Sequence, residues 1–122
     1  MPLTFLLDEN MRGKLPHAIQ RHNARGGPMI EAICVGDPPA LPLGSKDDDI
    51  LLWAELHGRL LLTFDASTMK TALARHLAAG HSSPGVLILN RGLTIPDIVD
   101  ALALIAHTGF PHDYADQAVH VP

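Results

Sequence analysis

The chain has 122 residues, 47% of them hydrophobic and 18% charged, which excludes a disordered or low-complexity protein and leaves room for one domain with a real core. Its five aromatic residues, Trp53, Tyr114, Phe5, Phe64 and Phe110, make that core aliphatic and argue against a stacking platform for single-stranded nucleic acid. Thirteen acids against nine bases leave a formal charge of −4, which taken alone argues against a nucleic-acid binder.

Residues 3–7 (LTFLL) form an apolar run with little alternation, as in a strand buried on both faces of a parallel sheet. Residues 10–30 then carry Arg12, Lys14, Arg21 and Arg25 and no acid. Leu15, Ala18, Ile19 and His22 follow a helical spacing. Pro16 puts the start of that helix near Lys14, with proline in the first turn. Residues 29–35 (MIEAICV) read as a second strand, and residues 36–44 (GDPPALPLG) as a proline-stiffened loop.

Ser45 is the expected N-cap of the second helix, with Asp48 three residues on as a capping-box variant. Ile50, Leu51, Ala54 and His57 share a face, and Gly58 ends the helix. Residues 60–63 (LLLT) form the third strand. Met69, Leu73, His76 and Leu77 mark a third helix ending at Gly80, and residues 86–89 (VLIL) a fourth strand. Thr94 caps the fourth helix, with Pro96 in its first turn and Asp97 at its third position. Its expected buried stripe is Ile95, Ile98, Val99, Leu102, Ile105 and Ala106. Residues 118–121 (AVHV) are a candidate edge strand.

Alternating strands and helices predict an α/β fold, a three-layer α/β/α sandwich around a mostly parallel sheet of four or five strands. One domain is expected over residues 3–107, with residues 108–122 a tail that adds an edge strand to it. No stretch approaches the roughly 18 apolar residues of a membrane span, and the N-terminus does not read as a signal peptide. Cys34 is the only cysteine, so there is neither an internal disulfide nor a Cys-based zinc site. A cytoplasmic protein is expected. The eight histidines contain no HExxH motif and read as surface or core-edge residues. Phosphate-loop, dinucleotide and serine-hydrolase motifs are absent.

Sites in parallel α/β sheets form at the carboxyl ends of strands. Asp8, Glu9 and Asn10 follow the first strand, and Thr63 and Asp65 close the third. Asp47, Asp48 and Asp49 open the helix after the second. Three segments thus deliver carboxylates to one rim. Two carboxylates ~4 Å apart repel by roughly 4 kcal/mol at an effective dielectric near 20. Protons or a divalent cation must offset this, and hard oxygen donors select Mg²⁺ or Mn²⁺. Such an ion can orient water for attack on a phosphodiester. Asp8, Asp47 and Asp65 are the candidate ligands and catalytic residues. Glu9, Asn10, Asp48, Thr63 and Ser67 are candidates to support them, the two hydroxyls by holding a metal-bound water. The acid-free segments 10–30 and 66–96 offer Arg12, Lys14, Lys70 and Arg91 as candidate RNA contacts.

FLLDEN (5–10), SKDDDILLWAELHGRLLLTFD (45–65) and PGVLIL (84–89), in that order, resemble short bacterial PIN-like proteins related to VapC-type toxin nucleases. The resemblance covers roughly residues 3–107. It implies a PIN-like sandwich and a Mg²⁺- or Mn²⁺-dependent ribonuclease site. Asp8 matches the family's first acid, Asp47 the acid three residues before the first aliphatic position of its helix, and Asp65 the aspartate of T-x-D. Relatives often read T-x-D-x-D-F, where this chain has Ser67 and Thr68. The site lacks that further carboxylate. The resemblance also implies an RNA substrate and an antitoxin partner.

The main alternative is a catalytically silent PIN-like binding or regulatory protein. A phosphoryl receiver would use Asp8, Glu9 and Asp65, but it needs a late lysine and none follows Lys70. An assembly role, with the last helix mediating a homodimer, is a further alternative.

Overall fold

A computed structural model describes residues 2–121. The chain runs β1 (Thr4–Leu7), a 3-10 turn (Glu9–Met11), α1 (Lys14–Ala24), β2 (Ala32–Cys34), α2 (Asp47–His57) and β3 (Arg59–Thr63). It continues through α3 (Ala66–Ala78), β4 (Val86–Leu89), α4 (Ile95–Thr108), a short α5 (Pro111–Tyr114) and β5 (Ala118–Val121). The five strands form one sheet in the order β2-β1-β3-β4-β5, and every neighbouring pair is parallel.

Side-chain parity along the strands divides the core in two. Phe5, Leu7, Leu60, Leu62, Leu87 and Leu89 face Leu15 and Ile19 of α1 and Ile98, Leu102 and Ala106 of α4. Leu6, Leu61, Val86 and Ile88 face Ile50, Leu51 and Ala54 of α2 and Met69, Ala72 and Leu73 of α3. Alternate residues of each strand therefore feed opposite faces. This is the three-layer α/β/α sandwich, and its strands lack polar alternation because both faces are dry. The tail contributes β5 at the sheet edge, where Val121 pairs with Leu89.

Several local expectations hold for the reasons given. Thr94 and Asp97 form a reciprocal capping box, and Gly58 ends α2 in the left-handed conformation at φ 64°. Others are corrected. Strand β2 is shorter than residues 29–35, because the Asn23 side chain bonds both the N–H and the carbonyl of Ile30. That carboxamide takes the groups a ladder would need. Ser45 does not cap α2. Its hydroxyl donates to the Pro42 carbonyl at 2.7 Å, and Lys46 takes the cap position without a side-chain bond. In α4, Ile95 and Ile105 are only half-buried, and His57 of α2 is exposed, stacked on Trp53.

The chain reverses its winding between β1 and β3: β2 lies to one side of β1, and β3 to β5 follow on the other. The crevice outside the carboxyl ends at such a switch point is where open α/β sheets bind ligands.

Candidate active site

Asp8 leaves β1 at that switch point. Its N–H donates to the Leu62 carbonyl of β3 at 3.0 Å, so the strand pairing itself fixes its backbone. One carboxylate oxygen, Oδ1, accepts from the Glu9 N–H at 2.8 Å, capping the 3-10 turn. The other, Oδ2, accepts from the Thr63 hydroxyl at 2.9 Å. Thr63 is fully buried, and its hydroxyl oxygen also accepts from the Asp65 N–H at 3.1 Å. One hydroxyl thus ties the ends of β1 and β3 together.

Asp65 caps α3. Its Oδ1 accepts from the Thr68 N–H at 3.2 Å and the Ser67 hydroxyl at 3.4 Å. The Thr68 side chain and then its backbone hold the Asp65 carboxyl below its ordinary range; burial opposes this, while Ser67 and the charge of Arg91 add to it.

Asp47 is the first residue of α2. Its carboxyl is pushed up, first by burial and then by the negative charge of Asp8, with Asp65 and Asp48 adding and a bond to Thr68 opposing. The structure therefore brings Asp8, Asp47 and Asp65 to one rim, where the charges of Asp8 and Asp65 both disfavour ionisation of Asp47.

The flanking residues divide. Glu9 Oε1 accepts from the Gly44 N–H at 3.1 Å and pins the proline loop beside the rim. Asn10 is exposed. Asp48 turns away to pair with Arg75 at 3.0 Å. Among the bases, Arg12 is committed to Asp37 at 2.9 Å. Lys70 lies against His120 of β5, with 2.9 Å between Nζ and Nε2. Arg91 sits 5.4 Å above the Phe64 ring and is the base whose charge reaches Asp65. The basic flanks expected from sequence are thus partly neutralised, because Asp37 and Asp48 fold onto Arg12 and Arg75. Beside the rim is a cavity of about 400 Å³ lined by Asn10, Lys14, Phe64, Ile95 and Ile98 among others.

A second cluster lies at the opposite, amino-terminal edge of the sheet, where α2 and α3 end. Glu55, His76 and His81 have ligand atoms within 4.8 Å of one another and can hold a metal ion. Among the described residues, Asp8, Asp47 and Asp65 are not gathered that tightly. Sequence reasoning passed over this cluster. His76 and His81 straddle Gly80, but Glu55 is on another helix, and only the packing of α2 on α3 brings it there. No helix of the described residues is long and apolar enough to cross a membrane.

No family model, curated protein or solved structure matches the chain.

Proposed function

We propose that the chain is a Mg²⁺- or Mn²⁺-dependent ribonuclease of PIN-like type, with Asp8, Asp47 and Asp65 as its metal ligands and catalytic carboxylates. The observation that carries this reading is the junction of the ends of β1 and β3, where the Thr63 hydroxyl binds both the Asp8 carboxylate and the Asp65 N–H. Asp47 opens α2 at the same crevice, its carboxyl raised first by burial and then by the charge of Asp8. A bound cation removes that repulsion. The donors are all oxygens, as Mg²⁺ prefers. Mg²⁺ keeps several of its waters, so one or two of the carboxylates would bind it directly and the rest would reach it through water. When bound, the ion would polarise a phosphodiester oxygen and supply hydroxide as nucleophile.

The chain's own residues do the positioning. Thr63 orients Asp8, and Thr68 and Ser67 orient Asp65. Arg91, above the Phe64 ring, offers a cation to a phosphate beside Asp65, and the adjoining cavity offers room for a base. The resemblance to VapC-type proteins supports RNA as substrate and an antitoxin as partner, and the lack of a membrane span or signal peptide in the sequence supports a cytoplasmic setting. The last helix exposes Leu104, a contact available to a homodimer.

A specific observation also favours catalytic silence. Asp65 Oδ1 is already engaged by Thr68 and Ser67, and Ser67 stands where the PIN-like proteins that the chain resembles often carry another carboxylate. RNA cleavage by purified protein separates the two readings. Cleavage is expected with Mn²⁺ or Mg²⁺, falling to background in Asp8→Asn. Unchanged cleavage in Asp8→Asn would assign it to a contaminant, and divalent-ion binding without cleavage would leave the silent reading.

A further inference from the structure

We propose that Glu55, His76 and His81 form a binding site for a first-row transition ion of the Zn²⁺ class, which staples α2, α3 and the loop before β4 at the sheet edge opposite the acidic rim. This site is independent of the ribonuclease reading.

The argument starts from one oxygen. Glu55 Oε1 is shut off from solvent and accepts no hydrogen bond. A buried carboxylate oxygen left this way loses its hydration without replacement. Yet two imidazole nitrogens stand beside it, His76 Nε2 at 3.0 Å and His81 Nδ1 at 3.3 Å. Neither is aligned to donate to it. Three potential ligand atoms that face one another, none hydrogen-bonded to another, suit a shared cation.

The surroundings hold the three in place. Glu55 Oε2 accepts from both the N–H and the hydroxyl of Ser82 at 3.3 Å, which fixes the carboxylate plane. His76 is buried in the α2–α3 core, and its ring stacks on that of His81 with centroids 4.7 Å apart. His81 is half-exposed and leaves a path for the ion. His76 Nε2 lies 2.8 Å from the Ser82 carbonyl. A carbonyl only accepts, so that nitrogen carries a proton in the metal-free protein. With an ion on Nε2 the neutral ring would carry its proton on Nδ1 instead, and the carbonyl oxygen beside Nε2 would be a further donor. Two imidazoles and one carboxylate are the ligand set of Zn²⁺ rather than of Mg²⁺.

The test is Zn²⁺ titration of chelator-treated full-length protein by calorimetry, with thermal melting alongside. One ion per chain is expected, with a rise in Tm of roughly 10 °C at hundredfold excess over Kd. Mg²⁺ should not reproduce that rise. His81→Asn, a substitution at an exposed ring, should weaken binding at least tenfold and cut the melting shift at the same Zn²⁺ concentration by about half or more. Asp8→Asn should bind as wild type, which separates this site from the rim. No uptake at sub-millimolar Zn²⁺, or equal binding by His81→Asn, would overturn the proposal.

Discussion

The Thr63 hydroxyl donates to Asp8 across the β1–β3 pair at 2.9 Å, and it does so from a fully buried position while accepting the Asp65 N–H. A single side chain therefore sets the relation between two carboxylates that lie 57 residues apart in sequence (Asp8 and Asp65).

Thr63→Val keeps the shape and removes the hydroxyl. The variant should lose about 1.5–3 kcal/mol of stability, the usual scale for a hydrogen bond to a charged group. Thr63→Ser should recover most of it. Urea unfolding of the pair measures this, and equal midpoints for Val and wild type would contradict the role given to the hydroxyl. RNA cleavage should fall in Val and return in Ser.

Asp47→Asn should separate stability from activity. Burial and the charges of Asp8 and Asp65 raise the Asp47 carboxyl, so the folded chain holds this proton more tightly than the unfolded chain. The associated stability is present at acid pH and lost as pH rises through the raised value. At pH 7 the charged carboxylate opposes folding, and the amide removes that opposition. Solvent screening keeps the gain small at a half-buried side chain, a rise in Tm of roughly 1–3 °C. Cleavage should vanish in the same variant. An inactive variant that also melts lower would show that Asp47 supports the fold instead.

Cys34 gives a pH prediction. Its thiol is buried under the end of β1 and donates to the Asp8 carbonyl at 3.6 Å. Burial, then the charge of Asp37, pushes it up to about 11. The thiol therefore stays protonated at pH 8, and the stability linked to it is full below its ordinary range and lost as pH rises through about 11. A disulfide reagent should label native protein slowly at pH 8 and denatured protein at once. Rapid labelling of the native chain would show that the thiol is open.

Much of the fold was legible because its signals are local. Runs such as LLLT and VLIL need no partner to be read as doubly buried strands, and Thr94 with Asp97 forms its box within one turn. Where a group outside the element competes for its hydrogen bonds, local signals mislead. Asn23 takes Ile30 away from β2, and the Pro42 carbonyl takes the Ser45 hydroxyl away from α2. Neither contact has a signature at the position it changes.

By itself the sequence determined the alternation of strands and helices, the apolar character of both sheet faces, and the placing of Asp8, Asp47 and Asp65 at one rim. All of these follow from residue period and from the direction of parallel strands. Tertiary structure alone decided which charges are free. Arg12 and Asp48 are consumed by partners 25 and 27 residues away, whereas Arg91 is left facing Asp65. It also decided that Glu55 meets His76 and His81. Helix packing, not spacing along the chain, closes that cluster, because a side chain's chemistry depends on what the fold brings within a few ångströms of it.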